Sequence, residues 1–153
     1  MTNVQSNFPL KDKPEALKLV EQFLGKPFIL YFYPKDDTPG CTQQACELLT
    51  HLKQFQDKGY LVAGVSKDSS KSHEKFISKY NLTFPLLSDE NGHLCDAFGV
   101  WVEKSMYGKK YFGIERSTFI LDSSGCIQKE FRKVKVPKHW ESVLKTIETF
   151  PTI

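Results

Sequence analysis

Apolar positions recur along this chain with two periods, and their alternation outlines the elements. "PEALKLVEQFLG" places Leu17, Val20 and Leu24 at helical spacing, and Gly25 ends the pattern. "FILYFY", Phe28 to Tyr33, is an unbroken apolar run of strand length, as expected for a strand covered on both faces. After a polar turn, Ala45, Leu48, Leu52 and Phe55 form one stripe of a long helix that stops near Gly59. "YLVAGVS", Tyr60 to Ser66, reads as a second buried strand, and "SSKSHEKFISKYN" as a helix beginning near Ser70. "FPLLSD" is a short strand, and "NGHLCDAFGV" a turn with a short helix. "STFILD" (Ser117 to Asp122), the turn "SSG" and "CIQKEFR" make a hairpin. Pro137 opens a last helix, with Trp140, Val143, Leu144 and Ile147 at i, i+3, i+4 and i+7.

Strands alternating with helices, then a hairpin and a helix, predict an α/β fold with a central mixed β-sheet flanked by helices. At 153 residues, without repeats or low-complexity linkers, the chain is expected to form a single domain over 1–153.

Composition narrows the function classes. The net charge of +3 is too small to argue for a nucleic-acid or membrane partner, and the densest basic runs, "GKK" and "RKVKVPK", read as solvated faces. The longest apolar run is strand-sized, and the N-terminus lacks the charged-then-apolar order of a secretory signal. The expected location is therefore cytoplasmic and reducing. Four cysteines there point to reactive thiols or core residues rather than structural disulfides.

Two of those cysteines lie in "PKDDTPGCTQQAC", Pro34 to Cys46. Thr38-Pro39-Gly40 turns the chain from strand into helix, so Cys41 falls in the first helical turn. Unsatisfied N–H groups and the positive end of the helix dipole favour a thiolate there, and the thiolate is the nucleophilic form. An isolated cysteine is more often a small buried hydrophobe; the strand-turn-helix junction shifts the balance toward reactivity.

Cys46 follows five residues later. In a regular helix that spacing separates the Cα atoms by roughly 8–9 Å. A disulfide tolerates no more than about 7 Å. The pair cannot bond while the helix stands, but can if its first turns unwind, and a helix start is where opening costs least. Such spacing suits thiols that are apart in one state and joined in another. A thiolate oxidised to sulfenic acid needs capture by a second thiol before it reaches sulfinic acid. Cys41 attacking a peroxide O–O bond, with Cys46 resolving the sulfenate, meets that need without a metal or organic cofactor. It also requires donors for the departing oxygen, such as the Thr38 hydroxyl, backbone N–H groups and a fixed cation.

Pro34, Thr38 and Cys41 reproduce the P-x-x-x-T-x-x-C signature of peroxiredoxins, which this chain resembles. "DDTPGCT" and a second Cys five residues on are similar to the bacterioferritin-comigratory-protein branch, also called the Q type. "FPLLSDENGHLCDAFGVW" and "EKSMYGKKYFGIERSTFILDSSG" extend the likeness from about Phe28 to the C-terminus. The resemblance implies a thioredoxin-like fold, with Cys41 as peroxidatic and Cys46 as resolving thiol. It implies Thr38 as hydrogen-bonding partner of thiolate and peroxide, Pro34 as a shield against water, and Arg116 as the cation. Without it, Arg116 reads better as a surface ion pair with Glu115 or another carboxylate. Peroxides are the implied substrates and thioredoxin, or a similar dithiol protein, the implied reductant. A monomer is expected, because both cysteines share one helix.

Two departures stand out. Gln44 occupies the position where relatives usually carry Glu, exchanging a charge for an amide. "NFPLKDKPEAL" is shorter and more helix-like than the usual N-terminal hairpin. Cys95 and Cys126 match no catalytic position. His51, His73, His93 and His139 show no metal-ligand spacing, and zinc on Cys41 and Cys46 would lack two ligands at the usual intervals. A protein disulfide oxidoreductase is disfavoured by the absence of C-x-x-C; a non-enzymatic peroxide sensor would use the same Cys41 without turnover.

Overall fold

The computed structural model describes residues 8–150. The first helix, α1 (Pro14–Val20), tightens into a 3-10 turn at Glu21–Phe23, so it ends earlier than its apolar stripe suggests. There follow β1 (Phe28–Phe32), α2 (Pro39–Asp57), β2 (Leu61–Ser66), α3 (Ser70–Tyr80), β3 (Leu86–Ser88) and α4 (His93–Phe98). The chain continues through β4 (Trp101–Met106), β5 (Lys109–Ile114), β6 (Ser117–Leu121), β7 (Ile127–Phe131) and α5 (His139–Glu148). Five strands form one sheet in the order β3-β2-β1-β6-β7. β1 runs parallel to β2 and antiparallel to β6, so the sheet is mixed. Among the described residues, no helix is long and apolar enough to cross a membrane.

The unbroken apolar run of β1 follows from its central place. Ile29 and Tyr31 point to the layer of α2, α3 and α5, where Leu48, Leu52, Phe55, Phe76 and Trp140 pack. Phe28, Leu30 and Phe32 point to the opposite layer of α1 and α4, with Val20, Leu94 and Phe98. A period-two strand with two covered faces needs apolar residues at every position. Gly64 in β2 makes room for the Tyr31 ring: a Cβ there would lie 2.9 Å from Tyr31 Cζ and 2.8 Å from Leu86 Cδ2.

One element was not evident in the sequence. β4 and β5 pair antiparallel as a separate two-stranded sheet. Their turn is Tyr107-Gly108, with φ of 53° and 77°, the left-handed pair that a tight two-residue hairpin requires. The N-terminal residues 1–7 lie outside the described region, so the departure read in "NFPLKDKPEAL" falls partly beyond it.

Candidate active site

The site forms where β1 hands over to α2. Thr38 is the N-cap in extended conformation, Pro39 fills the first helical position, and Thr42 N donates to Thr38 O at 2.8 Å. This is proline's preferred helical place, because its fixed φ suits the first turn and no N–H is lost. Cys41 follows and is 2% exposed. Cys46 lies on the same helix, half-buried, and both thiols are free.

Arg116 reaches this point from the loop between β5 and β6. Its guanidinium donates from Nη2 to Cys41 Sγ at 3.4 Å and from Nη1 to Gln44 Oε1 at 2.6 Å. Gln44 sits one helical turn beyond Cys41, at i+3 on the same buried face. Arginine has only donors, so Gln44 turns its carbonyl oxygen toward it. The expected alternative, an ion pair with Glu115, is not what forms: Glu115 accepts from Arg132 Nε at 2.7 Å. An amide orients Arg116 without cancelling its charge, which leaves the cation available to a thiolate and to developing oxyanion charge. Trp140 of α5 pins the same segment, its indole N–H donating to Gln44 O at 3.0 Å.

Two buried polar atoms here have no hydrogen-bond partner among the described residues, Gln44 Nε2 and the Tyr31 hydroxyl. Burial, then the proximity of Cys41, holds the Tyr31 phenol well above its ordinary range. Unmet polar demand of this kind often marks a reactive site. The Thr38 hydroxyl donates to Lys35 O at 2.9 Å, which leaves its lone pairs free to accept. Pro34 is exposed at the mouth of the same loop.

The AhpC/TSA family model matches residues 3–130. The chain belongs to this family. It is 50% identical over 133 residues to the putative peroxiredoxin Bcp of Coxiella burnetii, covering 87% of each chain. It is 47% identical over 137 residues to peroxiredoxin Bcp of Bacillus subtilis, covering 90% of this chain and 87% of that one. A solved structure of the bacterioferritin comigratory protein of Xanthomonas campestris, concerned with alkyl peroxide reduction, superimposes with a TM-score of 0.83. That match has 43% identity and covers 87% of this chain and 84% of the other. The enzyme is a peroxiredoxin, a thiol-dependent peroxidase, and its mixed sheet with flanking helices is the thioredoxin-like fold.

In this peroxiredoxin the loop that carries Thr38 is moored by a buried polar network that sequence spacing did not reveal. Asp36 Oδ2 meets His73 Nδ1 at 2.7 Å and accepts from Ser72 Oγ at 2.8 Å, while Oδ1 accepts from Tyr33 Oη at 2.5 Å. Asp36 N donates to Asp68 Oδ2 at 2.9 Å, and His73 Nε2 faces Leu87 O at 3.0 Å. A ring nitrogen facing a carbonyl must donate; the other faces a carboxylate that already accepts two hydroxyls, so the geometry favours the imidazolium form of His73. Asp36, Asp68 and His73 bring possible ligand atoms within 4.8 Å of one another, but these atoms are already engaged in the bonds just given.

A pH prediction follows. Burial alone would push His73 down, but the hydrogen bond and charge of Asp36, the Leu87 carbonyl and Asp68 raise it above 6.5. Burial would likewise raise Asp36, but hydrogen bonds from His73, Tyr33 and Ser72 bring it below 3.8. The His73 contribution is complete below pH 6.5 and fades as pH rises through the higher folded value; that of Asp36 is complete above pH 3.8 and fades below it. His73→Gln should therefore destabilise by about 3 kcal/mol near pH 5.5, and by progressively less as pH rises. Thermal unfolding of both proteins from pH 5 to 9 checks this; a constant difference would contradict it.

The two remaining thiols are of another kind. Burial, then the Asp89 carboxylate, holds Cys95 far above the ordinary thiol range, and it is 0% exposed. Burial and the charge of Asp122 raise half-buried Cys126. Thiols kept protonated are poor nucleophiles. Arg116→Met should slow oxidation of Cys41 by hydrogen peroxide by about 10²–10³-fold, the usual cost of one oxyanion-stabilising donor. Stopped-flow single-turnover kinetics measure it, and an unchanged rate constant would make Arg116 structural only.

Proposed function

We propose that this peroxiredoxin reduces hydrogen peroxide and organic hydroperoxides through Cys41, with Cys46 as resolving thiol in the same chain. The carrying observation is the Arg116 guanidinium at 3.4 Å from Cys41 Sγ, held there by Gln44 rather than by a carboxylate. The Cys41 thiolate attacks one peroxide oxygen, the O–O bond breaks, and the alkoxide or hydroxide takes up a proton. This leaves Cys41 as sulfenic acid. Arg116 stabilises the charge that moves from sulfur to the departing oxygen. Thr38 offers free lone pairs to the peroxide hydrogen, and Pro34 closes the mouth toward water.

Oxidation also loosens the site. A charge-assisted bond to a thiolate contributes about 1.5–3 kcal/mol, a neutral one about half that, so converting thiolate to sulfenic acid weakens the grip of Arg116 on the start of α2. Residues Cys41–Cys46 then unwind, the Cys46 sulfur attacks the Cys41 sulfur, and water leaves as the disulfide forms. A thioredoxin-type dithiol returns both cysteines to thiols and becomes a disulfide itself. One chain holds both thiols, so the cycle runs in a monomer.

The test is steady-state peroxide consumption with a thioredoxin, its reductase and NADPH, combined with the mass of the oxidised protein. Sustained turnover and a loss of two hydrogens mapped to Cys41 and Cys46 are expected. Stoichiometric oxidation without turnover would favour the peroxide sensor.

A further inference from the structure

Among the described residues, every large hydrophobic side chain left exposed lies on the β4–β5 hairpin. Trp101 is 38% exposed, Tyr111 43%, Met106 56%, Phe112 59% and Tyr107 97%. Register places Met106 and Tyr111 on one face of the hairpin and Trp101 and Phe112 on the other, and apolar exposure concentrated on one element marks an interaction surface. Met106, Tyr107, Lys109, Lys110 and Tyr111 line a shallow groove of about 450 Å³ there. The hairpin carries Lys104, Lys109 and Lys110 against Glu103 alone, and Lys67 Nζ stands 4.0 Å from the Trp101 ring centroid. "GKK", which in the sequence reads as a solvated basic run, is thus the edge of an aromatic face.

This surface is continuous with the active site. β5 ends two residues before Arg116, and Glu115 N donates to Val100 O at 2.7 Å, closing the base of the hairpin. Register pairs Lys104 with Tyr111 and Met106 with Lys109, so these four share the face that carries Val102 and Gly113. The Lys104 stem crosses Gly113, its Cδ 3.4 Å from where a Cβ would stand. Burial, then Arg116, lowers the Lys104 ammonium while Cys41 raises it, so this face lies within the electrostatic field of the site. Five residues of extended chain, on the order of 17 Å, separate Tyr111 from Arg116. A typical interface of about 800 Å² per partner is a disc of roughly 16 Å radius. Such a disc is about 32 Å across, so a protein whose interface has the Cys41–Cys46 disulfide toward one edge would reach the hairpin.

We propose that the β4–β5 hairpin docks the dithiol protein that reduces the Cys41–Cys46 disulfide, a partner whose reactive thiol is surrounded by apolar residues and rimmed by carboxylates. This rests on the disulfide cycle proposed above. One partner thiolate attacks a sulfur of the disulfide and expels the other as thiolate; the second partner thiol then breaks the mixed disulfide. The partner ends as a disulfide, and this chain gains two electrons and two protons. A second copy of the chain is a poorer occupant, because a two-fold contact of this face with itself brings Lys104 and Lys109 of one copy toward the same positive face of the other. A lipid surface supplies no electrons to the disulfide. The proposed cycle brings a dithiol protein to the disulfide, beside this face.

Two variants test the proposal, Lys109→Glu/Lys110→Glu and Met106→Ser/Tyr107→Ser, all four sites being exposed. With a bacterial thioredoxin, its reductase and NADPH, each variant should show a KM for thioredoxin raised at least about tenfold. The wild-type KM should rise with salt, and that of the charge-reversed variant should respond less. Turnover with dithiothreitol should be unchanged in both, as should single-turnover oxidation by hydrogen peroxide. Wild-type protein that turns over with dithiothreitol but with neither thioredoxin nor glutaredoxin overturns the reductant reading, and the docking surface with it. Wild-type turnover with an unchanged KM in both variants overturns the docking surface alone. Two further results at unchanged KM would also overturn it: slower oxidation by a long-chain hydroperoxide would make the hairpin a substrate rim, and lost binding to phosphatidylglycerol vesicles would make it a lipid contact.

Discussion

Cys41→Ser should abolish peroxide turnover, to below one part in about 10³ of the wild-type rate. A serine hydroxyl in the same place keeps the donor from Arg116 but stays protonated at any working pH, so no anion is available to displace an oxygen. The other thiols cannot substitute for it. Cys95 is closed off in the core, where burial and Asp89 hold it protonated, and Cys126 sits at the turn into β7, raised by burial and Asp122. Cys95→Ala and Cys126→Ser should therefore keep turnover within about twofold of wild type, while stability of the former falls by about 1 kcal/mol for the core volume lost. Parallel peroxide-consumption assays on the three variants check the assignment, and substantial activity in Cys41→Ser would refute it.

Cys46→Ser separates oxidation from resolution. Cys41 still reacts with peroxide at the wild-type rate, because Arg116, Gln44 and Thr38 are untouched. The sulfenic acid then has no thiol within the chain to capture it. Turnover supported by a dithiol protein should fall to background, and sulfinic acid should accumulate at peroxide concentrations that leave the wild type intact. α2 remains helical throughout, since nothing draws residues 41 and 46 together. Intact mass after graded peroxide addition, read beside the turnover rate, distinguishes the cases. Full turnover of Cys46→Ser with thioredoxin would show that resolution uses another thiol.

Most of the fold was legible because the core elements have clean periods. The β1 run, the Ala45–Leu48–Leu52–Phe55 stripe and the α5 face each follow from burial on known sides. The β4–β5 hairpin was not, because its exposed, lysine-rich strands show no buried alternation; only Ile114 among the β5 residues is buried. Cys41, Thr38 and Cys46 are local to one junction and could be reasoned from helix geometry. Arg116 lies 75 residues from Cys41 and entered only through the family resemblance. The Gln44 exchange was visible, but that its oxygen holds Arg116 was not, although its place one turn from Cys41 on the buried stripe was a usable signal. The Asp36–His73 pair spans 37 residues across two elements, a separation that no motif encodes.

The central claim is that oxidation unwinds the start of α2. Amide hydrogen exchange of the reduced and oxidised proteins tests it most directly. The reduced form should protect the amides of α2 beyond its first turn, with Gln44 held by the bonds from Arg116 and Trp140. In the oxidised form, protection should be lost across 40–49 and kept across 50–57, because a disulfide cannot bridge regular helix at this spacing. Equal protection of 40–49 in both forms, with the Cys41–Cys46 bond confirmed by mass, would contradict the account.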